Sequence, residues 1–143
     1  MARYRTTISS NLAPAEAFAY MSDFSNALVW DPGVTAARRA DVGEIGIGSA
    51  FELVARFAGR DVPLRYTVVE LDPGRSVVLE ARRPGFVSRD TIEVEPAAGG
   101  SRVSYDARLD FRGPGRLADP LMRVLFARTG RHATAGLQAA LNP

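Results

Sequence analysis

Cysteine and lysine are absent from this chain, and histidine occurs once. Without cysteine, neither a disulfide nor a thiolate metal site can form, and a single histidine does not predict a metal centre. No apolar run approaches the roughly 20 residues needed to span a bilayer, and the first residues contain no apolar signal core. We therefore expect a cytoplasmic protein with no bound metal and no stable membrane insertion.

Motifs for phosphate and nucleotide cofactors are also missing. The chain has no glycine-rich phosphate loop with its lysine, no dinucleotide-binding fingerprint and no nucleophile elbow. The glycine-spaced stretch at 43–48 precedes a predicted strand and not a helix, which favours a turn. We expect no cofactor.

The basic residues argue against nucleic-acid binding. All 18 are arginine, and with 16 acidic residues the formal net charge is +2. They are scattered, and Arg38-Arg39 and Arg82-Arg83 are isolated pairs, so no patch that would follow a phosphate backbone is indicated. No nucleic-acid partner is expected.

The N-terminal part of the chain combines one strand with two short helices. Residues 2–9 alternate with the two-residue period of a half-buried strand. Pro14 at a first helical position and Glu16 in the first turn predict a helix over 14–22. A second helical segment is predicted over 25–29, stopped by Pro32-Gly33.

Six further strands are predicted between residues 34 and 112. Turn residues recur at intervals of roughly ten, the rhythm of an antiparallel meander. The predicted strands are 34–41, 49–58, 62–71, 76–83, 86–95 and 102–112. Alternation along them gives one apolar face, which includes Phe51, Leu53, Ala55, Phe57, Val103, Tyr105, Ala107, Leu109 and Phe111.

The remainder of the chain predicts one long amphipathic helix. After Gly113 the two-residue period disappears, and apolar positions from Ala118 to Ala140 recur at helical spacing. Asp119-Pro120 resembles a cap followed by a first helical proline. Gly130 and Gly136 each weaken a helix by up to about 1 kcal/mol relative to alanine, so packing must hold it.

The order of elements and several local segments resemble the START/Bet v 1-like superfamily, in its polyketide cyclase/dehydrase and lipid-transport branch. The segments that carry the likeness are 13–18, 30–34 (Trp30-Asp31-Pro32-Gly33-Val34), 71–75 (Leu71-Asp72-Pro73-Gly74-Arg75), 95–96, 99–105 and 120–121. The resemblance implies an α+β helix-grip fold, in which a curved antiparallel sheet of about seven strands wraps around the C-terminal helix. It also implies one ligand-binding domain over residues 1–143.

The resemblance further implies a cavity between the concave face of the sheet and the C-terminal helix, entered near the short helices and hairpin tips. For every apolar candidate, simple core filling is the alternative. Trp30 has two interpretations, a rim residue over the cavity mouth or a plug that ties the short helix to the sheet. The candidate ligand-binding residues are Trp30, Phe51, Phe57, Tyr66, Leu79, Arg82, Phe86, Ser88, Phe111, Met122, Leu125 and Phe126.

The candidate catalytic residues are polar groups at predicted inward positions: His132, Asp90 and Tyr105. The phase set by Ile92 turns Asp90 inward, where its carboxylate needs a partner from Arg82, Tyr66, Tyr105 or His132. The alternative is a register change that leaves Asp90 at a solvated strand end. His132 falls in the apolar arc of the last helix, where it is either a general acid or base or a satisfied core residue.

Three functions fit these expectations. The first is binding or transport of a small hydrophobic molecule, such as a polyketide, lipid or aromatic metabolite. The second is a polyketide cyclase, aromatase or dehydratase that uses the same cavity. The third is a non-catalytic regulatory or interaction protein, for example a homodimer, whose cavity is filled by its own side chains.

Overall fold

The computed structural model describes residues 1–57 and 59–143, apart from the side chains at positions 115, 116, 118 and 119. The predicted strand end at Ala58 and the predicted roles of the Ala118 and Asp119 side chains therefore lie outside the described part. The elements before the sheet's meander are β1 (Ala2–Ser10), α1 (Pro14–Ser22), a 3-10 turn (Phe24–Asn26) and α2 (Ala27–Trp30). The strands that follow are β2 (Val34–Arg39), β3 (Ala50–Phe57), β4 (Arg60–Asp72), β5 (Ser76–Arg83), β6 (Phe86–Ala97) and β7 (Gly100–Phe111).

The seven strands form one antiparallel sheet in the order β1-β7-β6-β5-β4-β3-β2. A second 3-10 segment (Gly113–Ala118) leads into the long helix α3 (Asp119–Ala140). Register shifts between Val34 and Ala36 and between Val68 and Glu70 mark bulges, which bend strands and increase sheet twist. The predicted helix-grip fold, a curved sheet around a C-terminal helix, is confirmed.

The β5–β6 hairpin has the predicted two-residue turn, and the β6–β7 hairpin is tighter than predicted. Arg83 pairs with Phe86, and Ala97 pairs with Gly100, so each turn contains only two residues. Gly85 and Gly99 have φ values of 97° and 81°, which L side chains rarely adopt and which these short turns require. The sequence predicted β6 to end at residue 95 and β7 to begin at residue 102. In the structure the pairing of these two strands continues to Ala97 and Gly100, directly beside the turn.

Two glycines of α3 set how closely the helix lies on its neighbours. A Cβ atom at Gly130 would lie 2.2 Å from the Tyr4 ring of β1, and one at Gly136 would lie 1.9 Å from the Trp30 carbonyl oxygen. No side chain fits at either distance. The prediction that packing and not helix propensity holds α3 agrees with these contacts.

Edge-to-face aromatic contacts join the short helices to the sheet. The Trp30 ring lies 5.2 Å from the Tyr105 ring, and the Phe24 ring lies 4.9 Å from the Tyr66 ring, between centroids. Such pairs contribute about 0.5–1.5 kcal/mol beyond area burial. Trp30 is fully buried, so the plug interpretation is confirmed and the rim interpretation is wrong.

Candidate functional site

A cavity of about 270 Å³ lies between the concave face of the sheet and the N-terminal half of α3. Most of its lining is apolar. The described residues that line it are Phe24, Ala27, Asp31, Val34, Leu53, Ala55, Arg56, Phe57, Arg60, Val62, Leu64, Tyr66, Phe86, Ser88, Asp90, Tyr105, Ala107, Leu109, Phe111, Met122, Phe126 and Thr129. Burial divides this lining into a mouth and an inner end.

The mouth is formed by half-buried aromatic and aliphatic side chains. The Phe57 and Phe126 rings lie 6.4 Å apart across it, and the Phe86 and Phe111 rings lie 6.0 Å apart on the other side. Met122 completes the helix side. Alternation along β3, β6 and β7 places these rings inward, because successive side chains of a strand point to opposite faces.

The inner end is a hydrogen-bonded chain of four buried polar residues. Tyr105 Oη donates to Asp90 Oδ2 at 2.6 Å, and Ser88 Oγ donates to Asp90 Oδ1 at a longer 3.4 Å. The hydroxyls of Tyr66 and Ser88 are 2.8 Å apart. The cross-strand pairs of β6 with β7 bring Asp90 opposite Ala107, whose small side chain leaves room above the carboxyl.

Burial raises the pKa of Asp90 to about 7. The negative charge of Asp31 adds to that increase, whereas the hydrogen bonds from Tyr105 and Ser88 oppose it. Burial and the charge of Asp90 also raise the pKa values of Tyr66 and Tyr105 well above the ordinary value. A carboxyl with a pKa near neutrality can both hold and release a proton at physiological pH.

Asp31 is a second carboxylate on the cavity wall, and the sequence interpretation missed its role there. It follows Trp30 directly, and its Oδ1 accepts a hydrogen bond from Gly33 N at 2.9 Å. Burial raises the pKa of Asp31, and the Gly33 hydrogen bond opposes the change. The Asp-Pro-Gly signal predicts a turn, which is present, but it does not indicate that the carboxyl also faces a cavity.

The structure brings together nine of the predicted site residues on the cavity wall. The expectation that Asp90 points inward with Tyr105 as its partner agrees with the structure, and the solvated alternative does not. The nine residues are Phe57, Tyr66, Phe86, Ser88, Asp90, Tyr105, Phe111, Met122 and Phe126.

Two predicted polar site residues lie elsewhere. His132 is exposed, because the buried stripe of α3 contains Ala133 and Leu137 and the next residue on a helix is rotated by about 100°. Arg82 also points to solvent, since Ala81 faces inward on β5, and its Nε donates to Glu80 Oε1 at 2.7 Å. Their predicted inward positions are wrong.

Four further candidates do not line the cavity. Phe51 and Leu79 face inward as predicted but are fully buried in the core, as is Trp30. Leu125 is half-buried on α3, outside the lining. For Phe51 and Leu79, core filling is therefore the interpretation that the structure supports.

Among the side chains that the structure describes, no three acidic or histidine residues are grouped so that they would hold a metal ion. None of the described helices is long and apolar enough to cross a membrane.

The sequence model of the polyketide cyclase/dehydrase and lipid transport family matches residues 1–142, so the chain belongs to this family. No curated protein shows significant sequence similarity.

Several solved structures share the fold at low sequence identity. A START superfamily protein from Mycobacterium smegmatis superposes with a TM-score of 0.79 at 14% identity, covering 99% of this chain and 97% of the other. A protein from Thermus thermophilus gives 0.75 at 18% identity, with coverage of 98% and 95%. The Zhui aromatase/cyclase from Streptomyces gives 0.73 at 11% identity, with coverage of 97% and 90%. At these identities the likeness shows the fold alone.

Proposed function

We propose that the protein binds a small hydrophobic molecule, such as a polyketide, lipid or aromatic metabolite, in the cavity beneath α3. The observation that carries this proposal is the cavity of about 270 Å³, whose mouth is apolar and whose few polar groups gather at the inner end. Small-molecule sites have this combination of an apolar wall and a few placed polar groups. Membership of the family supports the same conclusion.

A fluorescence titration with the neutral apolar dye N-phenyl-1-naphthylamine tests the proposal. We expect saturable binding at one site, with a 1:1 complex in native mass spectrometry. Ala107→Phe places a ring over the inner end and should weaken binding at least about tenfold, a loss of about 1.4 kcal/mol. Ala139→Trp, at an exposed position of α3, is the matched control and should leave binding unchanged.

Equal binding by wild type and Ala107→Phe would contradict the proposal, as would no binding to the folded wild type. Circular dichroism establishes that each variant is folded. Leu109→Trp, at a half-buried wall position, provides a second blocked variant if Ala107→Phe does not fold.

A second candidate function is a cyclase or dehydratase that acts on a polyketide-like chain. The observation that favours it is the buried Asp90 carboxyl, which has a pKa of about 7 and a 2.6 Å hydrogen bond from Tyr105 on the cavity wall. Such a group can take a proton from a carbon between two carbonyls and return it to a departing hydroxyl.

Turnover of a synthetic poly-β-ketone, followed by product absorbance, tests the second candidate. Asp90→Asn should lower kcat by about a hundredfold or more with little change in binding, as removal of a general acid–base group does. Unchanged turnover in Asp90→Asn would exclude this site.

A further inference from the structure

We infer that the cavity's ligand carries a protonated amine, which the Asp90 carboxylate receives at the inner end and which the Asp31 carboxylate on the same wall also attracts. The inference rests on the proposed function, because it specifies the head group of the same hydrophobic guest. It is drawn from hydrogen-bond counting, from the charges around the inner end and from the aromatic rings there.

The hydroxyl hydrogens at the inner end are already used within the protein. Tyr105 donates its hydrogen to Asp90, and Ser88 donates its hydrogen to the other carboxyl oxygen. When Ser88 donates to Asp90, its 2.8 Å contact with Tyr66 uses the Tyr66 hydrogen. When Asp90 is ionised, this chain offers a ligand only lone pairs, so the ligand must supply the donor.

The charges around the inner end favour a cationic donor over a neutral one. Asp31 acts on Asp90 through its negative charge, and among the described residues no basic side chain contributes to the pKa shift of Asp90. Asp106 also acts through its charge, but Arg3 pairs with it at 2.7 Å. Asp31 accepts a hydrogen bond from the backbone N–H of Gly33, and no arginine of the described residues forms an ion pair with it. Carboxylates held in an apolar cavity are costly without a counter-charge, which an ammonium group would supply.

The basic groups of the described cavity wall lie at the mouth. Arg56 and Arg60 flank the tip of the β3–β4 hairpin, and both are exposed. Arg56 Nη1 lies 3.9 Å from Asp61 Oδ1, so its charge is already opposed. The cavity therefore changes from arginines at the rim to carboxylates inside. Among the described residues, the ionisable groups that line the cavity with Asp90 are Asp31 after α2, Arg56 on β3, Arg60 and Tyr66 on β4, and Tyr105 on β7. Asp106 also acts on Asp90 through its charge.

Aromatic rings complete a site for a cation with an apolar body. Phe24, Tyr66 and Tyr105 line the inner end beside the carboxyls. The faces of such rings attract cations by about 0.5–2 kcal/mol, more when the cation is desolvated. An arylalkylamine would place its ring in the apolar part of the cavity, against Phe57 and Phe126, and its ammonium group near Asp90.

Isothermal titration calorimetry with three matched probes tests the inference: naphthylethylamine, naphthylethanol and ethylnaphthalene. At pH 7.5 we expect wild type to bind the amine at least about tenfold more tightly than the alcohol. Asp31→Asn and Asp90→Asn, which preserve shape and one acceptor oxygen, should each lose most of that preference. Asp23→Asn is the matched control, because Asp23 caps a turn through Ser25 as Asp31 does through Gly33 but does not line the cavity.

Proton release provides a readout that simple apolar binding would not produce. At pH 6.5 Asp90 is mostly protonated in the free protein, and a bound ammonium favours its ionised form. Amine binding should therefore release up to about three quarters of a proton per site, as titrations in buffers of different ionisation enthalpy report. The alcohol should release none, and Asp90→Asn should release none with either probe.

The outcomes separate this inference from the proposed function. If the alcohol and the hydrocarbon bind as tightly as the amine, the cavity is a hydrophobic site and the amine inference is overturned. An amine preference that persists unchanged in both Asp31→Asn and Asp90→Asn also overturns it. If none of the three probes and no apolar dye binds the folded protein, the proposed function fails and the inference fails with it.

Discussion

Asp90 is an acidic residue held on the wall of an apolar cavity, with only 3% of its surface exposed. Two hydroxyl groups stabilise its ionised form, but burial dominates and its pKa rises to about 7. An acid with a raised pKa makes the folded protein less stable when it ionises. The residue therefore costs stability at neutral pH, which is typical of a group retained for a ligand or a reaction.

The pH dependence of unfolding should report this cost. Below about pH 4 Asp90 is protonated in both the folded and unfolded states, and between there and pH 7 only the folded state retains the proton. Its contribution therefore falls as pH rises from about 4 to 7, by on the order of 4 kcal/mol as an upper limit. Asp90→Asn should flatten this part of the stability curve, measured by urea denaturation at several pH values.

Glu93→Gln, an exposed substitution on the same strand, is the control and should leave the curve unchanged. A wild-type stability that is flat or rising through this window, with no difference in Asp90→Asn, would show that the carboxyl is not buried as described.

The hydroxyl of Tyr105 should lower the pKa of Asp90. Its hydrogen bond lowers the pKa of Asp90 against the effect of burial. Removing the hydroxyl in Tyr105→Phe should therefore move the pKa of Asp90 above its value of about 7, as a carbon-detected NMR titration of the carboxyl would show. Tyr66→Phe is the matched control, since Tyr66 reaches Asp90 only through Ser88, and it should have a smaller effect. An equal effect of both changes would contradict the hydrogen-bond assignment.

At the residue scale, the sequence predicted side chains on regular strands better than those elsewhere. The inward position of Asp90 follows from alternation along β6, and its Tyr105 partner was among the expected ones. The inward position of His132 was wrong, because one residue of error on a helix changes the direction of a side chain by about 100°. The cavity position of Asp31 could not be predicted, since its turn-forming role already explained the residue.

The packing of α3 depends on two positions without a side chain. Gly130 lies against the Tyr4 ring, and Gly136 lies against the Trp30 carbonyl. The gain of about 1 kcal/mol in helix propensity from alanine is therefore outweighed by steric conflict with the sheet and with α2.

Gly136→Ala should consequently destabilise the protein by about 1–3 kcal/mol or more, because the backbone of Trp30 must move. Gly130→Ala should destabilise it by a similar or smaller amount, since its obstacle is a side-chain ring. Thermal unfolding followed by circular dichroism measures both. Gly46→Ala is the control, because no atom lies within 4 Å of a Cβ at that position, and it should be nearly neutral. Stabilisation by Gly136→Ala would contradict the described position of α3.

At the scale of elements, hairpins and helices were predictable because local signals set them. Glycine and proline fixed the turns, and the change from a two-residue to a helical period fixed the start of α3. Strand ends were less predictable, since the two-residue turn that extends β6 and β7 depends on pairing between these two strands.

The whole molecule encloses an unfilled space because the glycines hold the C-terminal half of α3 close to β1 and α2, whereas its N-terminal half covers the cavity. The family resemblance implied a cavity here, but which inward residues line it is a property of the assembled fold. Alternation identified the inward residues, but it did not distinguish those that fill the core, such as Phe51 and Leu79, from those that line the cavity.

A ligand that binds only the folded protein should raise the free energy of unfolding of the whole molecule. At a dye concentration of about 100 times the dissociation constant, we expect about 2.7 kcal/mol of added stability in wild type. Differential scanning calorimetry with N-phenyl-1-naphthylamine should show an increased Tm for wild type and Ala139→Trp, and a smaller or absent increase for Ala107→Phe. The same increase in all three proteins would indicate that the dye binds outside the cavity.

The most direct test of the cavity is a crystal structure of the protein grown with N-phenyl-1-naphthylamine. We predict electron density for the dye beneath the N-terminal half of α3, against the Phe57 and Phe126 rings and extending toward Asp90. A structure in which side chains fill that space, or in which the dye lies only on the outer surface, would contradict the account.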